Sequence, residues 1–285
     1  LDSTDLLNLP LPLTALVVGL FGALVGSFLN VLIHRLPEEK SIVWPGSRCV
    51  ACEKPIAWFD NLPVVSWLVL RGRCRACAAP IAWRYPLVEA LNAMLWVAFV
   101  VATGGRVTPL VVSQVMFISL MVTICWIDLE TMLILDVLTF PGTVLGLGVA
   151  AFSGRLLPAA VAAMAGYGFF RVLEAVSEWW LGRPAMGRGD AKLAMLMGAW
   201  VMPQGLAVSL MAAFMSGSVI GLVLYWLSGR DLVQLSFPWA RPVLHRERLS
   251  QPYPFGPALV LGGLLALFAG DPLWNWYLRM MGIGG

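Results

Sequence analysis

Apolar residues in this chain gather into long unbroken runs, and polar residues gather between them. Eight runs stand out, at roughly 12–33, 86–103, 108–127, 138–152, 158–181, 191–203, 206–227 and 255–270. Most approach the length needed to cross a bilayer. None alternates with period two, so they predict helices and not the strands of a barrel. The run at 191–203 is short and reads as a partial or tilted span. The first run has no charged n-region and no small-residue cleavage site, and it continues into GSFLNVLIHRLP. We expect it to be a retained helix and not a removed signal peptide. The expected fold is an all-α polytopic membrane protein of about eight transmembrane helices with one small loop domain. The expected organisation is a first helix at 1–33, a loop domain at 34–85 and a membrane-embedded core at 86–285. No tandem repeat or low-complexity linker is read along it.

Composition agrees. Hydrophobic residues make up 59% of the chain and charged residues 12%, about half the ~25% of soluble domains. Mean hydropathy is +0.81. A disordered chain, a soluble nucleic-acid binder and a secreted disulfide scaffold are excluded, and the lipid bilayer is the first partner. The net charge of +3 says little, but its distribution says more. Of 19 Lys and Arg, 15 fall in the segments 34–86, 182–192 and 228–254. By the positive-inside rule these segments are expected to be cytoplasmic, with both termini facing outward. The polar inserts 34–86, 228–254, 128–137 and 182–190 all fall on that side.

Four of the five cysteines form Cys49-x2-Cys52 and Cys74-x2-Cys77. Two such knuckles can wrap one tetrahedral zinc ion with four thiolates. Gly72 leaves the backbone unhindered before the second knuckle. Arg48, Arg73 and Arg75 would offset the negative charge of such a centre. Four thiolates leave no open position for a substrate, so the expected role is structural. Disulfides or free thiols are the other readings, and a cytoplasmic loop disfavours disulfides. Cys125, in the third run, reads as a small buried apolar residue.

Charged groups in a span are costly and usually functional. Asp128 ends the third run, Asp136 follows it, and Asp190 opens the sixth in MGRGDAKL. Two carboxylates in van der Waals proximity in a partly dry site share a proton. One then acts as general base on water while the other donates to the substrate carbonyl. Gly187 and Gly189 would let backbone approach closely and let Asp190 sit at a helix start. The plainer alternative is that these aspartates are helix caps or headgroup contacts.

GSFLNVLIHRLP, the two CxxC knuckles, RYPLVE, IDLETMLILDVLTFP, MGRGDAKL and PYPFGPAL occur in this order and cover nearly the whole chain. Together they resemble the type IV prepilin peptidases, the bifunctional leader peptidase/N-methyltransferases. The resemblance implies an inner-membrane aspartyl protease of the GxGD type. Such an enzyme removes the basic leader of prepilins or type II secretion pseudopilins after a glycine, at the cytoplasmic face. It then methylates the new N-terminus with S-adenosylmethionine. The catalytic aspartates fall on Asp128 and Asp190, with Asp136 auxiliary. Here the family's Leu-Pro-Asp reads Ile134-Leu135-Asp136, Ala185 stands at a usual glycine, Arg188 fills the GxGD string, and Val50 replaces a usual proline. A full set of four cysteines favours the bifunctional reading. No GxGxxG marks a nucleotide site, so methylation rests on the resemblance. Its expected location is the cysteine loop with the GSFLN and RYPLVE strings, where Gly72 and Glu89 are the candidate cofactor- and substrate-facing residues.

Asn30, His34 and Arg35 cluster where the first run ends, as headgroup anchors or as holders of substrate or loop. Glu89 could receive a basic leader or pair with Arg84. Arg171 and Glu174 read as an intrahelical pair. The 13 Trp mostly read as interface anchors. Three other functions stay open at this point: a proton-relaying transporter, a non-catalytic assembly protein held by a zinc loop, and a GxGD protease that does not methylate.

Overall fold

A computed structural model describes residues 5–182, 186–228 and 254–282. Their regular structure is helical, with two isolated β-bridges. The helices are α1 (Leu11–Arg35), α2 (Val65–Val69), α3 (Arg84–Ala102), α4 (Pro109–Thr131), α5 (Asp136–Phe152), α6 (Leu156–Leu181), α7 (Arg188–Ser228) and α8 (Gly256–Met280). Six of them, α1, α3, α4, α6, α7 and α8, are long and apolar enough to cross a membrane. α5 is apolar but only 17 residues long, about 25 Å, just short of a bilayer core. The chain is an all-helical, multi-pass membrane protein.

The runs at 191–203 and 206–227 form the two limbs of α7, two helices that meet at Met202 with φ 62° and ψ 175°. The adjacent Gly263 and Gly262 of α8 lie against Met197 of one limb and Ser209 of the other, so the limbs run side by side. Pro203 follows Met202, and its ring and missing N–H interrupt the helical ladder. The insert at 228–254, with Arg230, Arg241 and Arg246 and Arg248, lies outside the described residues apart from its two ends. So do Arg183 and Ala185.

The chain divides into two compact units, Leu1–Thr123 and Ile124–Gly285, with the boundary inside α4. In the first unit α1 packs along α3. Gly22 and Gly26 make this possible. A Cβ on Gly22 would stand 2.9 Å from Ala93 Cα, and one on Gly26 2.7 Å from Glu89 Cα. Small residues four apart let two membrane helices touch backbone to backbone. Polar bonds then fix the register. Asn92 donates to the Gly22 carbonyl at 2.7 Å, Ser119 to Asn92 Oδ1 at 2.9 Å, and the Trp96 indole to Ser119 at 3.0 Å. On the other side of α1, Leu16, Leu20, Phe21 and Leu24 are exposed, as a lipid-facing stripe is.

In the second unit α7 packs against α5, α6 and α8. Gly166 of α6 lies against the Ala194 carbonyl, and Gly198 of α7 against that of Ala162. The Trp200 indole donates to the Gly142 carbonyl at 2.9 Å. Phe170, Phe214 and Phe255 cluster and fasten the start of α8 to α6 and α7.

Candidate active site and metal centre

The cysteine loop is a short module between α1 and α3. It contains a short repeat. CVACEKPIAW at 49–58 and CRACAAPIAW at 74–83 are identical at seven of ten positions. This corrects the expectation of no tandem repeat. The two copies fold alike. Cys49 N–H donates to the Lys54 carbonyl and Cys74 N–H to that of Ala79; Glu53 and Ala78 donate back to Cys49 and Cys74. Glu53 and Ala78 both take φ 57°. Each knuckle closes on a bridge, Arg48 with Pro55 and Arg73 with Pro80.

The repeat brings Cys49, Cys52, Cys74 and Cys77 together, with all four Sγ within 4.8 Å of one another. Cys49 and Cys77 Sγ are 3.8 Å apart. A tetrahedral ion with metal–sulfur bonds of about 2.3 Å needs sulfurs about 3.8 Å apart, so the set fits one metal ion. Backbone N–H groups of Cys52 and Ala51 lower the Cys49 thiol to about 6. At Cys77 the Ala79 N–H works the same way, but the other sulfurs and partial desolvation push it up to about 12. Four crowded sulfurs resist ionising together unless a cation joins them.

The surroundings differ in part from expectation. Arg75 turns to Asp60 in a two-pronged ion pair with contacts of 2.7–3.1 Å. Gly72 takes φ +66°, and a Cβ there would meet the Trp67 ring at 2.9 Å. Arg35 donates to the Ser41 and Pro45 carbonyls at 2.9 and 2.7 Å, so it holds the loop. Asn30 donates to the Tyr85 carbonyl at 3.1 Å. Glu89 is buried. It accepts the Val64 N–H at 2.7 Å and is hydrogen-bonded with Ser27.

The aspartates lie in the second unit. Asp128 sits three residues before the end of α4 and is 4% exposed. The Gly256 amide, at the start of α8, is directed at its carboxylate. A methyl group on Gly256 would overlap Asp128 Oδ2. That oxygen is buried and has no hydrogen-bond partner.

Asp190 is the third residue of α7 and is 8% exposed. Its Oδ2 accepts the Gly187 N–H at 3.1 Å. A helix-capping aspartate accepts from residues that follow it. Asp190 instead reaches back to the residue before the helix, as the third residue of a capping box does. The bond aims the carboxylate inward while Gly187 takes the cap position. Gly189 packs on Ile134, two residues before Asp136: a Cβ there would stand 2.8 Å from Ile134 Cβ. The charge of Asp128 reaches the Asp190 carboxylate.

Asp136, the first residue of α5, does not join this pair. Its side chain is 56% exposed and pairs with Lys192, whose ammonium also lies 5.6 Å from the Phe140 ring centre. Arg171 and Glu174 form the expected pair, and Arg188 of the GRGD string reaches the same Glu174 at 3.4 Å. Cys125 is half-buried, not fully buried. The sequence reading missed Gly256 and Lys192. Their only signal was membership of the PYPFGPAL and MGRGDAKL strings.

Two family models match this chain: the bacterial peptidase A24 N-terminal domain over residues 20–103 and the type IV leader peptidase family over 115–223. A prepilin leader peptidase/N-methyltransferase of Aeromonas salmonicida is 35% identical over 92% of this chain and 93% of its own length. The chain belongs to the prepilin leader peptidase/N-methyltransferase family. A relative of that name from Myxococcus xanthus is 40% identical over 77% of this chain and 65% of its own length. Another, from Neisseria gonorrhoeae, is 30% identical over 94% and 96%. No solved structure matches the chain.

Proposed function

We propose that this protein cleaves the leader from type IV prepilins or pseudopilins with Asp128 and Asp190, then N-methylates the new terminus. One observation carries this reading. Two carboxylates from different helices are both more than nine-tenths buried, within electrostatic reach, and one has a bare oxygen. Burying such groups is costly, and an unpartnered buried oxygen needs a reason. A water and a substrate carbonyl supply one. One aspartate takes a proton from the water as it attacks the carbonyl. The other donates a proton to the carbonyl oxygen. The intermediate then collapses, the C–N bond breaks, and the leaving amine is protonated. Gly256 holds Asp128, and Gly187 and Gly189 hold Asp190. Asp136 is auxiliary and borders the site through Lys192.

Zinc is the metal that best suits four thiolates, and its role is to hold the module. S-adenosylmethionine supplies an activated methyl group, and the released N-terminal amine accepts it with loss of a proton. The module with its GSFLN and RYPLVE neighbours is the methyl-transfer region. The protein resides in a bacterial inner membrane. Asp190 lies beside the basic segment 182–192, and the alternation of basic segments along the chain puts the Asp128 end of α4 on the same side, which supports a cytoplasmic active face.

The test is to incubate purified protein with a prepilin and S-adenosylmethionine and to weigh the product. Leader loss with gain of one methyl group is expected. Leader loss alone would remove methylation from the reading. An unchanged substrate would overturn the reading.

A further inference from the structure

The cysteine module is built inside out. Residues 34–87 are all described, and no apolar side chain among them is buried. Twelve large apolar side chains of the module are exposed instead. A domain in water hides such groups, and an exposed apolar surface of this extent marks an interaction site. The short helix α2 makes the inversion explicit. Its polar and hydrogen-bonding side is turned inward. Ser66 donates to the Phe59 carbonyl at 2.9 Å, and the Trp67 indole donates to that of Ile81 at 3.1 Å. Val65, Leu68 and Val69, at i, i+3 and i+4, share the opposite side. They are 56%, 61% and 69% exposed.

We infer that this module lies on the membrane surface, with its apolar side chains inserted among the lipid headgroups and upper acyl chains. The first argument is attachment. The module leaves the last residues of α1 at Arg35 and enters α3 at Arg84, two candidate spans, so both its roots are at the bilayer edge. The second is chemistry. Trp44 and Trp58 are 75% and 79% exposed, and tryptophan prefers the headgroup level. Arg48, Arg71 and Arg73 are also exposed, and guanidinium groups suit anionic phosphates. The third is the absence of an alternative support. With no apolar core, the module has local hydrogen bonds and its sulfur centre to hold its shape. A planar apolar boundary accepts such a surface without demanding the shape match of a protein partner. The inference rests on α1 and α3 being spans and is independent of the peptidase reading.

The test uses the full chain in lipid nanodiscs without prepilin. A photo-crosslinking benzoylphenylalanine is placed singly at Val50, Trp58 or Leu68, and at Leu20 on the lipid-facing side of α1. After illumination, mass spectrometry identifies what was captured. Lipid adducts at the three module positions within about threefold of those at Leu20 are expected for an interfacial segment. Adducts only to protein, whether this chain or a second copy, or no adducts where Leu20 gives them, would overturn the inference. A second measurement needs no bulky residue. Quenching of tryptophan emission by brominated lipid should fall in Trp44→Phe and Trp58→Phe relative to the unaltered chain. Equal quenching in all three proteins would also overturn it.

Discussion

The cysteine module and the carboxylate pair hold their reactive groups in opposite ways. In the module the sulfurs lie at the surface and are placed by local turns, each knuckle closing over fewer than ten residues. Nothing apolar is buried there, so the sulfur centre is itself the core. In the second unit the carboxylates are buried, 62 residues apart in sequence. Asp128 is set against Gly256 at the start of α8, and Asp190 is set by the turn that opens α7. The first arrangement is suited to a bound ion, the second to close packing at glycines. Removing the metal should therefore damage one region and leave the other, and filling a glycine should do the reverse.

The largest effect belongs to the carboxylates. Asn is nearly isosteric with Asp but cannot exchange the proton. Asp128→Asn and Asp190→Asn should each lower leader cleavage by roughly 10³-fold or more, as loss of a general acid or base does. Each variant should still methylate a pilin supplied without its leader. Cleavage within about tenfold of the unaltered enzyme, in a folded and inserted variant, would end the aspartyl mechanism.

The converse experiment breaks the module. Metal analysis should give about one zinc per chain, lost in Cys49→Ser or Cys74→Ser. On the proposal that a metal holds the module together, methylation should disappear in these variants. Cleavage should persist within about tenfold, since a closed metal site activates no water. A zinc-free variant that methylates normally but cannot cleave would reverse the assignment of the two regions.

Between these extremes are the glycines. A methyl group on Gly256 overlaps Asp128 Oδ2, and one on Gly189 crowds Ile134. Displacing a reacting group by about 1 Å can cost about 10²-fold. Gly256→Ala and Gly189→Ala should each lose cleavage on that scale, with zinc content and methylation unchanged. Ile134→Ala should restore activity to the Gly189 variant, because the obstacle there is one side chain. No such rescue is available at Gly256, where the obstacle is the carboxylate itself.

These contrasts also explain what could be read from the chain in advance. The helices were legible because a membrane span needs a long apolar run, and each run did become helix. Their division was legible too: 191–203 and 206–227 read as two runs, and the helical backbone breaks at Met202, where the first gives way to the second. The cysteines were legible because their spacing is local. The repeat around them is harder to see because it spans only ten residues, three of which differ between the copies. The aspartates were visible only as costly charges, and a family likeness, not their spacing, singled out Asp128 and Asp190. Gly256 and the Glu174–Arg188 contact depend on long-range packing, for which no local pattern exists. Asp136 illustrates the remaining gap. It resembles the other two aspartates in sequence, but it opens its helix at the surface and pairs with Lys192. An exposed pair contributes about 0–1 kcal/mol. Asp136→Asn should therefore keep clear residual cleavage, reduced by no more than about tenfold, and a complete loss would place Asp136 in the chemistry.

The smallest effect is expected at the Asp60–Arg75 pair, which ties the turn just after the first copy of the repeat to the second copy. The Arg75 hydrogen bond holds the Asp60 carboxyl below its ordinary value of 3.8. A lowered carboxylate stabilises the fold at pH values above its ordinary range and loses that contribution as pH falls through the lowered value. At neutral pH the contribution is fully present. Acid is a poor probe of it, because thiolate protonation would release a bound metal first. Salt is the better one, since Arg75 is more than half exposed and such pairs are screened. Asp60→Asn should speed zinc release to a chelator at pH 7.5 by about twofold or less, and about 1 M salt should erase the difference. Carboxylate cleavage chemistry should not change. A tenfold faster release that persists in high salt would mean that this pair, and not the four sulfurs alone, holds the two copies of the repeat together.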